Sequence, residues 1–160
     1  CEEVVKRFCG AYSEPVWRNI GLAKDLGLHV EVVLLLIPDV NSNIDEVRQI
    51  ARRVRDVAGE DTPLHITRFY QAYKLMDKPP TPISTLEKAV QAAREEGLNY
   101  VYIGNVPGHR YENTWCPKCG ALLIERYGFT VTRYELTKDK RCPRCGIGIP
   151  IVGEPPKYPI

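Results

Sequence analysis

The sequence predicts an α/β protein, in which a parallel sheet is followed by a small cysteine-rich module. Two observations support this prediction: three aliphatic runs alternate with amphipathic helical segments, and two Cys-x-x-Cys pairs follow them. A chain of 160 residues can bury one moderate core with a small appendage. We therefore divide it into a main part, a cysteine module and a Pro-rich tail, at residues 1–108, 109–150 and 151–160.

The first half of the chain begins with a helix and a strand. Apolar side chains at helical spacing from Pro15 to Gly27 predict a helix. The run from His29 to Ile37 is apolar at consecutive positions, which is typical of a parallel strand buried on both faces. Ser42 or Asn43 is expected to cap a second helix that ends near Ala58 and turns its arginines to solvent.

Two further strands and one helix complete this pattern. Residues 64–68 are predicted to form a second strand, and residues 99–104 a third. Between them, Ser84 and Glu87 match a capping box at the start of a helix that Gly97 ends. Strands joined by helices pair in parallel, but three strands close no barrel and leave two apolar edges. The sequence therefore predicts part of a larger α/β sheet or barrel.

The two cysteine pairs predict a metal site. Cys116 and Cys119 stand in one Cys-Pro-x-Cys-Gly motif, Cys142 and Cys145 stand in a second, and 22 residues separate them. Four thiolates close a tetrahedral shell and leave no position for a substrate, which favours a structural zinc ion in a zinc ribbon. Residues 121–127 and 129–136 flank Gly128 and are expected to form the hairpin of that ribbon. Iron bound by the same thiolates is the alternative, and cysteines that merely pack as small hydrophobes are a weaker one.

Composition and charge exclude several classes of protein. A net charge of +2 is too small to indicate nucleic-acid binding, although residues 105–160 carry nine Lys and Arg against five Asp and Glu. No apolar run is long enough for a membrane span, and no leader is recognisable, so we expect a soluble, cytoplasmic protein. Cys1 and Cys9 fit no metal pattern, and a first residue other than Met suggests a reading frame that begins upstream.

Motifs alone assign no chemistry to this chain. In parallel α/β folds, the loops after the strands carry the functional groups, and here they are polar. His65 lies inside a predicted strand and is expected to be a satisfied core histidine. The sequence contains no GxGxxG motif, no Walker motif and no Ser-His-Asp pattern.

Six stretches, in order along nearly the whole chain, match one known family. Three of them are His-Ile-Thr-Arg-Phe-Tyr at 65–70, Tyr-Val-Tyr-Ile-Gly-Asn-Val-Pro-Gly at 100–108 and Asn-Thr-Trp-Cys-Pro-Lys-Cys-Gly at 113–120. The others lie at 8–16, 29–38 and 73–82. Together they resemble the carboxy-terminal half of the AmmeMemoRadiSam-system radical SAM enzymes, relatives of the pyruvate formate-lyase-activating enzymes. The resemblance implies a partial TIM barrel that uses S-adenosylmethionine and a 4Fe-4S cluster.

This resemblance also implies which residues meet the cofactor or substrate, namely Arg68, Phe69, Tyr70, Tyr73 and Asn105. The family's cluster ligands lie in a Cys-x-x-x-Cys-x-x-Cys motif, which this sequence does not contain. We therefore expect the last three strands of such a barrel plus the ribbon, inactive alone. Its partner would be a missing amino-terminal half or a separate cluster-bearing subunit, and the open sheet edge also permits an oligomer. The alternative is a stand-alone zinc-ribbon protein that binds a protein or nucleic-acid partner.

Overall fold

The computed structural model describes residues 2–154, so Cys1 and residues 155–160 of the predicted tail lie outside the described residues. Four helices are present: α1 (Glu2–Cys9), α2 (Ser13–Asp25), α3 (Ile44–Ala58) and α4 (Ile83–Glu95). Three strands alternate with α3 and α4: β1 (Val32–Leu36), β2 (Leu64–Arg68) and β3 (Val101–Gly104). A 3₁₀ turn at Arg110–Glu112 then leads to β4 (Thr114–Trp115), β5 (Leu122–Tyr127) and β6 (Thr130–Tyr134).

The first three strands form a parallel sheet in the order β1-β2-β3, with α3 and α4 as the crossovers. Leu34, Ile66 and Ile103 share one register row, so their side chains lie on the same face. This face packs on the helices and forms the main core. The parallel α/β prediction is therefore confirmed, and β2 has the predicted bounds.

The opposite face of the sheet is open along β1, where Val33 is 66% exposed and Leu35 is exposed as well. The prediction of a strand buried on both faces was therefore wrong for this face. The strand is also shorter than predicted, because it begins at Val32 rather than His29. Among residues 2–154, β1 and β3 each pair in this sheet only with β2, so both of its edges are unpaired.

Of the two helix caps predicted from the sequence, the one for α3 is correct and the one for α4 is wrong. Asn43 caps α3, and its side-chain Oδ1 accepts the N–H of Asp45 at 2.8 Å. Ser84 caps nothing, because α4 already begins at Ile83 with Pro82 at the cap position and no side-chain cap bond. The ring of Pro82 fixes its φ at −58°, a value compatible with the start of a helix. α4 therefore starts without a capping box.

The arginines of α3 are engaged with carboxylates rather than simply solvated, which corrects the sequence expectation. Arg48 donates to Glu95 and Glu96, and Arg52 donates to Glu96 at 2.6 Å. These pairs join the two crossover helices across the outer surface. They hold the pKa of Glu96 below its ordinary value, chiefly through the hydrogen bond from Arg52. Two more arginines of this helix also meet carboxylates, namely Arg53 at Glu14 and Arg55 at Asp56.

The second sheet is antiparallel, in the order β4-β5-β6, and the predicted hairpin turns at Gly128. The pairing of β5 with β6 shifts register between Glu125 and Arg126. A small second core joins this sheet to the cysteines and to Tyr100, which precedes β3. The cysteine module therefore packs beside β3. No helix among the described residues is long and apolar enough to cross a membrane.

Candidate functional site

The two cysteine motifs fold into two matching turns. In the first, the N–H of Gly120 donates to the carbonyl of Cys116 at 2.9 Å, and in the second, Gly146 donates to Cys142 at the same distance. Both glycines have positive φ, +69° and +73°, which a residue with a side chain rarely adopts. Each turn directs its two thiols to the same side, as the sequence motif predicts.

The four sulfurs of Cys116, Cys119, Cys142 and Cys145 meet at one point, all within 4.8 Å of one another. The Sγ atoms of Cys116 and Cys145 are 3.5 Å apart, and those of Cys119 and Cys142 are 3.6 Å apart. A tetrahedral ion with metal–sulfur bonds of ~2.3 Å needs sulfur separations of about 3.8 Å, so the set fits a metal ion.

The thiols influence one another strongly. Burial raises the pKa of Cys142, but hydrogen bonds from the backbone and from two neighbouring thiols outweigh it and lower that pKa to about 7. The pKa of Cys119 instead rises to about 12; a backbone hydrogen bond lowers it, but burial and the three other cysteines outweigh that bond. Four thiols this close cannot all ionise without a cation between them, so the charge balance also favours a bound metal.

Glu112 ties the cysteine module to the loop that follows β3. Its buried carboxylate accepts the N–H of Gly108 at 2.6 Å and the N–H of Gly128, in the β5–β6 turn, at 3.4 Å. Tyr127 packs on Gly108, where an added Cβ would lie 3.1 Å from the tyrosine ring. The position of the module against the sheet is therefore set by specific contacts.

Three of the residues singled out in the sequence meet at the carboxyl edge of the sheet. The guanidinium of Arg68 donates to the hydroxyl of Tyr70 at 3.0 Å and to the carbonyl of Thr81 at 2.9 Å. That hydroxyl donates to the carbonyl of Asn105 at 3.1 Å, and the Asn105 amide donates back to the carbonyl of Arg68 at 3.1 Å. The result is a closed hydrogen-bonded cluster that joins the ends of β2 and β3.

The other two predicted contacts lie apart from this cluster. Phe69 is only 5% exposed, and its main-chain N–H donates to Thr81 Oγ1 at 3.0 Å. Tyr73 is 84% exposed in the following loop, with Lys74 over its ring. The structure thus places Phe69 in the interior and Tyr73 at the surface, and neither joins Arg68, Tyr70 and Asn105.

A row of polar side chains crosses the open face of the sheet, and sequence reasoning missed most of it. His65 does not lie in the core but lines a groove. Nε2 of His65 and Nε2 of His29 each lie 2.8 Å from a carboxylate oxygen of Glu31. The rings of His65 and Tyr102 stack with their centroids 5.1 Å apart. Burial raises the pKa of Glu31, but hydrogen bonds from the two imidazoles outweigh it and leave the pKa lowered. Arg126 of the cysteine module completes the row beside Tyr102.

Gly104 lies directly beside Thr67 of β2, with no room for a side chain. A Cβ at Gly104 would lie 2.6 Å from Cγ2 of Thr67, whose branched side chain has little freedom to move. We expect Gly104→Ala to lower the free energy of unfolding by about 1–3 kcal/mol, measured by urea denaturation. Thr67→Ser removes only that methyl group and should restore most of the loss in the double variant.

Gly148→Ala is the matched control for this substitution, because nothing lies within 4 Å of its added Cβ and its φ is not positive. Equal effects at Gly104 and Gly148 would contradict the steric explanation. So would a double variant that is no more stable than Gly104→Ala alone.

Comparison with known proteins gives a sequence relative and solved structures with a similar fold. No protein-family model matches the chain. An uncharacterized protein of Methanocaldococcus jannaschii is 56% identical over 148 residues, which are 92% of this chain but 44% of that protein. The crystal structure of a domain of pyruvate-formate lyase-activating enzyme from Bacteroides vulgatus superposes with a TM-score of 0.56. That match covers 65% of this chain and 61% of the other at 15% identity, so it establishes a shared fold.

Proposed function

We propose that this chain is the carboxy-terminal portion of a radical SAM enzyme of the activating-enzyme type, from the AmmeMemoRadiSam system. Its main part would be three strands of a partial TIM barrel at residues 1–108, followed by a structural zinc ribbon at 109–150. The observation that best supports this proposal is the parallel sheet with helices on one face and an open second face, in a fold shared with the activating-enzyme domain. The inner wall of a barrel would have this character.

The exposed apolar groups of the first half give the proposed partner a place to bind. Val33 and Leu35 on the open face are exposed, and so are Leu22, Leu26 and Leu28, which lie in α2 and in the segment after it. An unpaired parallel edge beside exposed apolar side chains is normally covered by further structure. We propose that an amino-terminal half or a separate cluster-bearing subunit covers it, in the cytoplasm.

The cofactor would lie at the carboxyl edge of the sheet, against Arg68, Tyr70 and Asn105. When bound, a 4Fe-4S cluster and S-adenosylmethionine supply a 5′-deoxyadenosyl radical. This chain contains no Cys-x-x-x-Cys-x-x-Cys motif, so its own contribution would be to bind and orient S-adenosylmethionine. The closed cluster fixes Asn105 in a left-handed conformation, with φ +62°, and holds this edge ready for a ligand.

The coding sequence tests this proposal first. We expect the reading frame upstream of Cys1 to encode a Cys-x-x-x-Cys-x-x-Cys segment, or a second chain with that segment to co-purify with this one. A start codon directly before Cys1, together with a monomer that brings down no such chain, would overturn the proposal.

A substitution at Tyr70 tests the proposed cofactor contacts in the cluster-loaded enzyme. Tyr70→Phe removes the hydroxyl that links Arg68 to Asn105 and keeps the ring. Because one or two hydrogen bonds are lost, we expect the KM for S-adenosylmethionine to rise about three- to tenfold. Tyr12→Phe, at an exposed tyrosine far along the chain, is the control and should leave the KM unchanged. Equal KM values in all three proteins would place the cofactor elsewhere.

A further inference from the structure

A groove of about 770 Å³ lies between the open face of the sheet and the cysteine module. Tyr102 and His65 line the sheet side, and Val131, Tyr134 and Ile149 line the module side. The walls are therefore largely aromatic and aliphatic, with a few polar groups between them. Clefts of this size and composition are typical of sites for small molecules.

Arg126 is a positively charged residue of this groove, and its guanidinium has hydrogen-bonding capacity left over. Its Nη1 donates to the carbonyl of Glu112 at 3.0 Å and to Thr114 Oγ1 at 2.9 Å. Among residues 2–154, no acceptor meets its Nε or Nη2, and no carboxylate forms an ion pair with it. The register shift of the β5–β6 pair occurs at this residue, and such bulges redirect side chains.

Most carboxylates on the groove, in contrast, already have hydrogen-bond donors. Glu31 accepts from two imidazoles, Glu112 accepts from two backbone N–H groups, and Asp61 accepts from the Asn99 amide at 2.8 Å. Glu154 lies near Tyr134, whose pKa is raised by burial and then by that carboxylate. The guanidinium of Arg126 is thus a cationic donor without a carboxylate partner among the described residues, which suits an anionic group of a ligand.

We propose that this groove binds a small organic carboxylate with an aromatic or apolar body. The carboxylate pairs with the free edge of Arg126, because a planar guanidinium presents parallel N–H donors to two carboxylate oxygens. The body lies along the aromatic and aliphatic walls, and Thr114 keeps Arg126 in place through a network with the Tyr102 hydroxyl. The role of this ligand as a substrate rests on the proposed function, but its binding can be measured on the chain itself.

The test is an NMR titration of the metal-loaded 160-residue chain at constant ionic strength. Phenylacetate is the probe, phenylacetamide is its neutral match, and inorganic phosphate is an anion without an apolar body. We expect phenylacetate to give saturable shifts at the amides of Tyr102, Arg126 and Gly128. Phenylacetamide and phosphate should each bind at least about tenfold more weakly.

Three variants locate the carboxylate contact. Arg126→Gln should weaken phenylacetate binding at least about tenfold, whereas Arg126→Lys keeps the charge and should retain part of the affinity. Arg133→Gln, at an arginine of β6 that pairs with Glu135, is the matched control and should bind normally. Amide dispersion reports whether each variant is folded. If Arg126→Gln does not fold, Arg126→Lys still tests the contact.

Several results would overturn the inference. These are the absence of a saturable shift in the millimolar range, shifts that map away from the groove, and equal affinity for phenylacetate and phenylacetamide. Phosphate that binds as tightly as phenylacetate would also overturn it, because the apolar walls would then contribute nothing. A failure here leaves the radical SAM proposal intact, since that proposal is tested by the cluster motif and by the cleavage reaction.

Discussion

Removal of the metal should unfold the cysteine module and leave the parallel sheet folded. The module is too short to fold on its apolar contacts alone. The small second core of the protein lies mostly in this module and involves all four cysteines. If the metal is the proposed structural zinc ion, its binding free energy, about 10–16 kcal/mol in small zinc peptides, would be the main source of the module's stability. We expect chelation to collapse the amide dispersion of residues 114–150, while amides of β1, β2 and α3 keep theirs.

Metal analysis and two cysteine variants complete this test. We expect one zinc ion per chain and no iron. Cys142→Ser should lose the metal and reproduce the effect of chelation, whereas Cys9→Ser, at an exposed cysteine outside the module, should keep it. Stoichiometric iron with visible thiolate-to-iron absorption would overturn the zinc assignment, and a module that stays folded without metal would overturn its structural role.

The second large effect concerns the two faces of the parallel sheet. Val101 is 1% exposed on the helix-covered face, whereas Val33 is 66% exposed on the open face. Val101→Ala removes buried methyl groups and leaves a cavity, so we expect it to cost about 2–3 kcal/mol. Val33→Ala should change the stability of this chain by less than about 0.5 kcal/mol. Urea denaturation of both variants measures the difference.

The same pair of valines also tests whether further structure covers the open face. In a longer form, or in a complex with the cluster-bearing subunit, Val33 would be buried, and Val33→Ala should then cost at least about 1 kcal/mol. If Val33→Ala is costly in the chain alone, the face is not open in solution. If it stays neutral in the longer form, nothing packs on that face.

Features that depend on residues close together in the sequence were predicted correctly in most cases. The segment Leu-His-Ile-Thr-Arg at 64–68 was predicted as β2 with its correct bounds, and Asn43 was a correct cap. The Cys-Pro-x-Cys-Gly motifs predicted four converging sulfurs. Ser84 failed as a cap because the neighbouring Pro82 already sets the helix start, and its hydroxyl makes no cap bond. A capping pattern in the sequence is a weak signal where a proline two residues earlier already fixes the backbone.

The missed features depend on contacts between distant parts of the chain. Glu31 and His65 are 34 residues apart, and Arg126 meets Tyr102 where the cysteine module packs beside β3. Val33 has an aliphatic side chain in an apolar run, so only the placement of the helices shows that it is exposed. Helix α1 and the two-residue strand β4 were also not predicted, since both are short and β4 depends on pairing with β5.

We propose that this chain belongs to an enzyme that cleaves S-adenosylmethionine by reduction, and product analysis tests this directly. The direct measurement uses the longer form, or the complex with its cluster-bearing subunit, loaded anaerobically with iron and sulfide and reduced with dithionite. We predict 5′-deoxyadenosine and methionine in equal amounts, detected by mass spectrometry, and neither product from a variant that lacks the cluster cysteines. A fully cluster-loaded protein that forms no 5′-deoxyadenosine would contradict the claim.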